Sequence, residues 1–189
     1  MTACPLSEVS DEAELVHAAQ TGDRAAFGQL YDRYARMVHG ILLARAPRRE
    51  VDDLVQDVFL LAMRRLPSLR DAARFGAWLA TIARNRCNDY YRRSRTPHDL
   101  AGDSTGAGAG SQATASGQDL SAERVLAIIR TLPEAYRETL ILRLVEGMTG
   151  PEIAARTGLS PGSVRVNLHR GMGQLRDKLG HALLGCGKP

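Results

Sequence analysis

Ser163, Arg165, Val166, Asn167, His169 and Arg170 stand close together near the end of the chain, in a basic stretch between Thr149 and Lys178. These types match the exposed edges of base pairs: Arg170 suits guanine edges or phosphate, Asn167 suits adenine, and the Val166 methyls suit the thymine methyl. Two catalytic patterns compete with this reading. Gly158-Leu159-Ser160-Pro161-Gly162 matches the GxSxG nucleophile elbow, with His169 nearby. That elbow needs a β-strand leading into the serine, whereas a helix leads in here, and Ser160 is accounted for as a helix cap. Asp52, Asp53 and Asp57 resemble the aspartate-rich helices that hold magnesium for diphosphate chemistry, since carboxylates at i and i+4 share a face. No second carboxylate set faces them, because the only similar spacing, Asp99 to Asp103, falls in a Gly/Ala/Ser-rich stretch. No catalytic residue, metal ligand or cofactor is therefore assigned.

The base-reading types need a helix to carry them. Thr149 and Glu152 form the spacing of a capping box, and Gly158 stands where a left-handed residue ends the first helix. Ser160 caps a second helix with Pro161 at its first position. Val164, Leu168, Met172, Leu175 and Leu179 make one apolar face of that helix, which leaves Ser163, Val166, His169 and Arg170 outward. Two short helices joined by a sharp turn read as a helix-turn-helix. A plain αα-hairpin with a solvated basic face has the same local signature.

The 189 residues carry 25 basic and 21 acidic side chains, a net charge of +4 that permits nucleic-acid binding without requiring it. All but two of the basic residues are arginine. From Thr96 to Asp119 the sequence is almost wholly Gly, Ala, Ser, Thr, Asp and Gln, too poor in apolar residues to build a core. The expected organisation is all-α: a helical unit over 9–95, a flexible linker over 96–120 and a second helical unit over 121–180. Cys4, Cys87 and Cys186 are odd in number and far apart, which indicates neither a disulfide framework nor a zinc site and fits a reducing cytoplasm. Cys87 reads as a buried small hydrophobe rather than a redox switch. No apolar run approaches the ~20 residues that span a bilayer, and the N-terminus lacks a signal-peptide pattern.

In the first unit, breaks at Gly22-Asp23, Pro47 and Pro67 predict helices near 11–20, 24–45, 49–65 and 72–94. The third buries Val51, Leu54, Val55, Val58, Leu61 and Ala62, and opposes them with Asp53, Gln56, Asp57, Leu60 and Arg64. An acidic and amide row around an exposed leucine suits a basic partner helix, although a solvated face would look the same. The fourth turns Phe75, Trp78, Leu79, Ile82 and Ala83 inward and spreads Arg84, Asn85, Asn88, Asp89, Tyr91 and Arg92 over the rest. Arginines for phosphates, with amides and rings for unstacked bases, are what melted nucleic acid needs.

Three strings, DRAAFGQLYDRYARMVHGILL, DDLVQDVFLLAMRRLPSL and FGAWLATIARNRCNDYYRR, occur in the order of region 2 of the extracytoplasmic-function (ECF) sigma factors, a group of the sigma-70 family. IIRTLPEAYRETLILRLVEGMTGPEIAARTGLSPGSVRVNLHRGMGQLRDKL resembles region 4 of the same family. The resemblance implies a non-catalytic, cytoplasmic RNA polymerase subunit that selects promoters. Asp53, Leu54, Gln56 and Asp57 would dock on the β′ clamp helices, and region 4 on the β flap. Arg84, Asn85, Asn88, Asp89, Arg92 and Arg93, with the loop from Pro67 to Arg74, would hold the melted −10 element. Ser163, Arg165, Val166, Asn167, His169 and Arg170 would read the −35 element, and an anti-sigma factor is an expected partner. A stand-alone helix-turn-helix regulator is the competing reading, and it predicts operator binding without polymerase.

Family recognition helices commonly carry further arginines after the position of Arg170, where this chain has Gly171, Met172 and Gly173, and a Ser-Arg pair where Val166 and Asn167 stand. The expectation is modest −35 affinity, raised by arginine at 171 or 172. No long extension follows Leu184, so an appended ligand-binding domain is not expected. Promoter elements two helical turns apart, at ~34 to 36 Å per turn, set the two units roughly 70 Å apart. A linker of ~24 residues averages about 25 to 30 Å as a free coil and reaches about 80 Å extended. Free protein should therefore bind promoter DNA weakly. A mobility-shift assay at physiological salt checks this, and tight sequence-specific binding without polymerase would contradict it.

Overall fold

A computed structural model describes residues 5–94 and 122–184, with side chains from 11–93 and 122–180. The proposed linker over 96–120, Arg95, Cys4 and Cys186 lie outside the described residues. The first unit is four helices: α1 (Pro5–Gln20), α2 (Arg24–Leu43), α3 (Val51–Arg65) and α4 (Phe75–Ser94). The second is α5 (Ala122–Arg130), α6 (Glu134–Leu144), α7 (Gly150–Thr157) and α8 (Pro161–Leu184). The fold is all-α, with no strand among the described residues, so the strand that a nucleophile elbow requires is missing before Ser160.

Local chemistry sets the helix ends. Asp23 caps α2 by accepting from the backbone N–H groups of Ala25 at 2.8 Å and Ala26 at 3.1 Å. Pro47 and Pro67 each sit at a short 3-10 turn, Arg48–Glu50 and Leu66–Ser68, and a third turn at Ala72–Arg74 delays the start of α4 to Phe75. Thr149 Oγ1 accepts from the Glu152 N–H at 3.3 Å, and the Thr149 N–H donates to Glu152 Oε2 at 2.7 Å, a complete capping box. Gly158 follows α7 at φ +74°, a left-handed conformation that costs a residue with a Cβ about 1 kcal/mol or more. Ser160 Oγ accepts from the Ser163 N–H at 3.1 Å to start α8.

Val16, Leu30, Met37, Val38 and Ile41 meet Val51, Val58, Phe75, Leu79 and Ala83 in the first unit's interior. Cys87 is buried with them, and desolvation pushes its thiol up to about 11, which suppresses the reactive thiolate. Trp78 is half-buried beside Phe75, with ring centroids 5.8 Å apart. In the second unit Val164 and Leu175 are buried and Leu168, Met172 and Leu179 pack on the core, which reproduces the apolar face read from spacing.

The two units also pack on each other, α6 and α7 lying against α2 and α4. The capping box is exposed at the start of α7, so its substitution tests chiefly the local reading. Thr149→Ala should cost about 1 kcal/mol, lowering the thermal midpoint by roughly 2 to 4 °C in a chain of this size. Thr149→Ser should recover most of the loss, as thermal unfolding followed by circular dichroism will show.

Candidate nucleic-acid interface

On α8, Ser163, Arg165, Val166, His169 and Arg170 are exposed, an unbroken polar and methyl-bearing face opposite the buried Val164. The turn from Gly158 to Ser160 separates α8 from α7, and Arg165 lines a cleft of ≈ 820 Å³ between them with Pro151, Ala154 and Ala155. Asn167 differs from the rest. It is half-buried and lines a cleft of ≈ 400 Å³ with Arg45, Arg84, Glu134, Glu138 and Leu159.

The charge-poor segment after Arg170 has a packing cause. A Cβ at Gly171 would stand 3.1 Å from both Leu140 Cδ1 and Tyr136 Cβ on α6, and Met172 packs on the core. At 171 the Leu140 and Tyr136 side chains would have to give by a few tenths of an ångström, and arginine at 172 would replace the contact Met172 makes with the core, so either change sets a packing cost against any gain in −35 affinity. Gly173 has no atom within 4 Å of an added Cβ, and its position follows Val166 and Arg170 on the same helical face.

On α4, Asn85, Asn88, Asp89 and Arg92 follow the i, i+3, i+4, i+7 spacing of one stripe. Asn85, Asn88, Arg92 and Arg93 are exposed, and Asp89 pairs with Arg92 at 3.0 Å. Arg84 is engaged elsewhere: its Nη2 donates to Glu138 Oε1 at 2.6 Å and its Nε to Glu138 Oε2 at 3.2 Å. Tyr91 is turned back by a 2.7 Å hydrogen bond from its hydroxyl to the Arg45 carbonyl.

On α3 the structure exposes Asp53 and Gln56 and ties Asp57 to Arg86 in an ion pair. Leu54 is only 4% exposed, so it packs in the core and cannot present itself to a partner, which corrects its assignment. The leucine of that face is Leu60, 49% exposed, joined by Met63 and Tyr31 in an apolar patch over Phe27 and Phe59. Met63 and Tyr31 were not picked out from the sequence. Met63 lies one turn beyond Leu60, so its spacing carried the signal; Tyr31 belongs to another helix, and no local pattern reveals it.

Residues 30–96 match the family described as Sigma-70 region 2, and residues 122–175 match Sigma-70, region 4. The chain is 35% identical over 161 residues to the RNA polymerase sigma factor CarQ of Myxococcus xanthus, covering 84% of this chain and 92% of that protein. It is 31% identical over 183 residues to the ECF RNA polymerase sigma-E factor of Haemophilus influenzae, covering 91% and 96%. Against the ECF RNA polymerase sigma factor BldN of Streptomyces coelicolor it is 32% identical over 162 residues, covering 83% of this chain but 61% of that longer protein. Among solved structures, CnrH in complex with the cytosolic domain of CnrY matches with a TM-score of 0.61 at 29% identity, over 90% of this chain and 97% of that one. The chain belongs to the ECF sigma factors of the sigma-70 family.

Gly173→Arg should raise affinity for a −35 duplex and steepen its salt dependence by about one phosphate contact, whereas Gly171→Arg should lower the thermal midpoint. Anisotropy titrations across salt concentrations, paired with thermal melts, separate the two. Equal behaviour of both variants would contradict the placement of α8.

Proposed function

We propose that the chain directs core RNA polymerase to promoters through three separate exposed faces. The α3 face, Asp53 and Gln56 beside the apolar patch of Leu60, Met63 and Tyr31, docks on the β′ clamp helices. An acidic rim around an apolar centre suits a basic, amphipathic partner helix, the rim guiding approach and the apolar side chains supplying affinity. The α4 stripe of Asn85, Asn88, Asp89 and Arg92, with Arg93 and Arg84, receives the unpaired −10 strand, and the outward face of α8 enters the −35 major groove. Region 4 also meets the β flap. Polymerase performs the chemistry and the chain supplies none, so its site of action is the cytoplasm, where polymerase and chromosome are found.

The observation that carries this reading is the match to both sigma regions by a chain that exposes an amide and arginine stripe on α4 and a polar face on α8. One face is suited to single strands and the other to a duplex groove. A stand-alone regulator has no use for the first. An anti-sigma factor is a further proposed partner, since one solved relative, an RpoE of Bartonella quintana sharing this fold, is in complex with the anti-sigma factor NepR.

Asp57 already holds Arg86, so reversing its charge would disturb α4 as well as docking. The cleaner pair is Asp53→Arg with Leu60→Asp, both exposed. It should weaken binding to core polymerase about tenfold or more, equivalent to ~1.4 kcal/mol, and reduce run-off transcription in parallel, with the fold unchanged. Undiminished core binding would remove the α3 docking assignment. Absence of promoter-directed run-off by the native chain with its cognate core would remove the sigma-factor reading itself.

A further inference from the structure

Oxidants attack sulfur where it is open to water, and among the described residues Met63 of α3 is the one exposed sulfur-bearing side chain. It is 47% exposed. Met37 and Met148 are buried at 0% and 2%, and Met172 packs on the core. Cys87 is buried too, and with its thiol pushed up to about 11 it offers little of the thiolate that oxidants prefer.

Its place matters as much as its exposure. Met63 shares a cleft of ≈ 240 Å³ with Leu60, Tyr31, Gln56 and the Phe27 and Phe59 rings. Phe59 is 4% exposed and is met by two rings of α2, Tyr31 at a centroid distance of 4.5 Å and Phe27 at 6.4 Å, which gives the cleft a rigid aromatic wall. Only Gln56 and the Tyr31 hydroxyl bring strongly polar atoms to it. A thioether in such a setting is apolar and adaptable, the property that makes methionine common on surfaces that grip a partner.

We infer that Met63 is an S-oxygenation site, at which a two-electron oxidant of the peroxide class forms the sulfoxide and thereby disables the α3 docking face. The inference rests on the assignment of that face to core polymerase. In the step, a sulfur lone pair attacks one oxygen of hydrogen peroxide and the O–O bond breaks. That oxygen stays on sulfur and passes its proton to the other, which leaves as water; sulfur gives up two electrons and the peroxide gains them. The product is polar where the thioether was apolar. Docking would bury the S–O dipole among Leu60, Phe59 and the apolar atoms of the partner, and a buried polar group without a matched hydrogen bond weakens binding by roughly tenfold or more. In the free chain water solvates the same group, so the fold is left intact. The change is reversible, because the two methionine sulfoxide reductases return one sulfoxide epimer each to the thioether.

Full-length protein with Cys4→Ser and Cys186→Ser is treated with hydrogen peroxide, freed of the oxidant, mapped by peptide mass spectrometry and titrated onto fluorescent core polymerase. Met63 should gain oxygen at least about tenfold faster than Met37, Met148 and Met172, following exposure. Affinity for core should fall about tenfold and return after treatment with both reductases. Met63→Leu removes the oxidisable atom, and each protein is compared with its own untreated sample. Whatever its starting affinity, the variant should lose less on oxidation than the parent does. Oxygen arriving first at one of the other three methionines, an oxidised chain that binds core as tightly as before, or an equal loss in Met63→Leu overturns the proposal. An untreated chain that does not bind core removes the sigma-factor reading instead, and the proposal with it.

Discussion

Glu138 is the charge on which the arrangement of the two units turns. An ionised carboxylate excluded from water is tolerated only when opposite charges meet it, and here two arginines of the other unit do so, Arg84 from α4 and Arg45 from the turn after α2. Burial alone would raise its pKa, but the hydrogen bonds and charges of Arg84 and Arg45 outweigh burial and hold it below the usual carboxylate range. The carboxylate thus stays charged at neutral pH and gives the contact its register. A buried ion pair contributes little net stability compared with an apolar contact of the same volume, because desolvation of both charges offsets their attraction. Removing one partner, by contrast, leaves the other stranded. Such a contact fixes orientation strongly and overall stability weakly.

That distinction suits two units that must stand apart in use. An apolar interface would expose a continuous hydrophobic face on opening, with the attendant risk of aggregation. Here Arg130, Arg137, Arg45, Arg84, Glu138 and Glu146 share the contact with the apolar side chains, so it is mixed rather than purely apolar. The apolar interior is continuous across the contact: Leu30, Met37 and Phe75 of one unit belong to the same buried cluster as Ile141, Ile153 and Val164 of the other. The relation between halves therefore combines apolar packing, as where Leu142 meets Gly40, with polar contacts and close-approach glycines.

The parts of this structure that spacing revealed are the local ones. The capping box at Thr149 and Glu152, the left-handed Gly158, the cap at Ser160 and the inward faces of α3 and α8 depend on residues within two helical turns of one another, so a linear pattern contains them. Contacts between distant segments leave no such pattern. Glu138 and Arg84 are polar residues on half-polar helices, and nothing in either neighbourhood marks them as partners 54 positions apart. Gly40 and Gly171 look like costly helix interruptions until Leu142 and Leu140 are placed against them. The same limit explains Leu54, which belongs to the inward stripe by spacing and was drawn outward only because it sits inside the DLVQD string.

Arg84 links the packed arrangement of the units to recognition in thermodynamic terms. A ligand that needs the open state binds with an apparent Kd equal to its intrinsic Kd divided by the fraction of molecules open, so closure weakens every partner that needs both units apart. In the proposed reading polymerase docks on the α3 face, whose Gln56 and Tyr31 share a cleft with His39 and with Glu146 of the second unit, so docking there bears directly on the contact between units. In the same reading, attachment of region 4 to the β flap would supply energy for drawing the units apart, which would release Arg84 from Glu138. The ion pair is then less a brake on transcription than a filter. It disfavours DNA that meets the free chain, while polymerase, offering separate seats for both units, supplies the binding energy that opening needs.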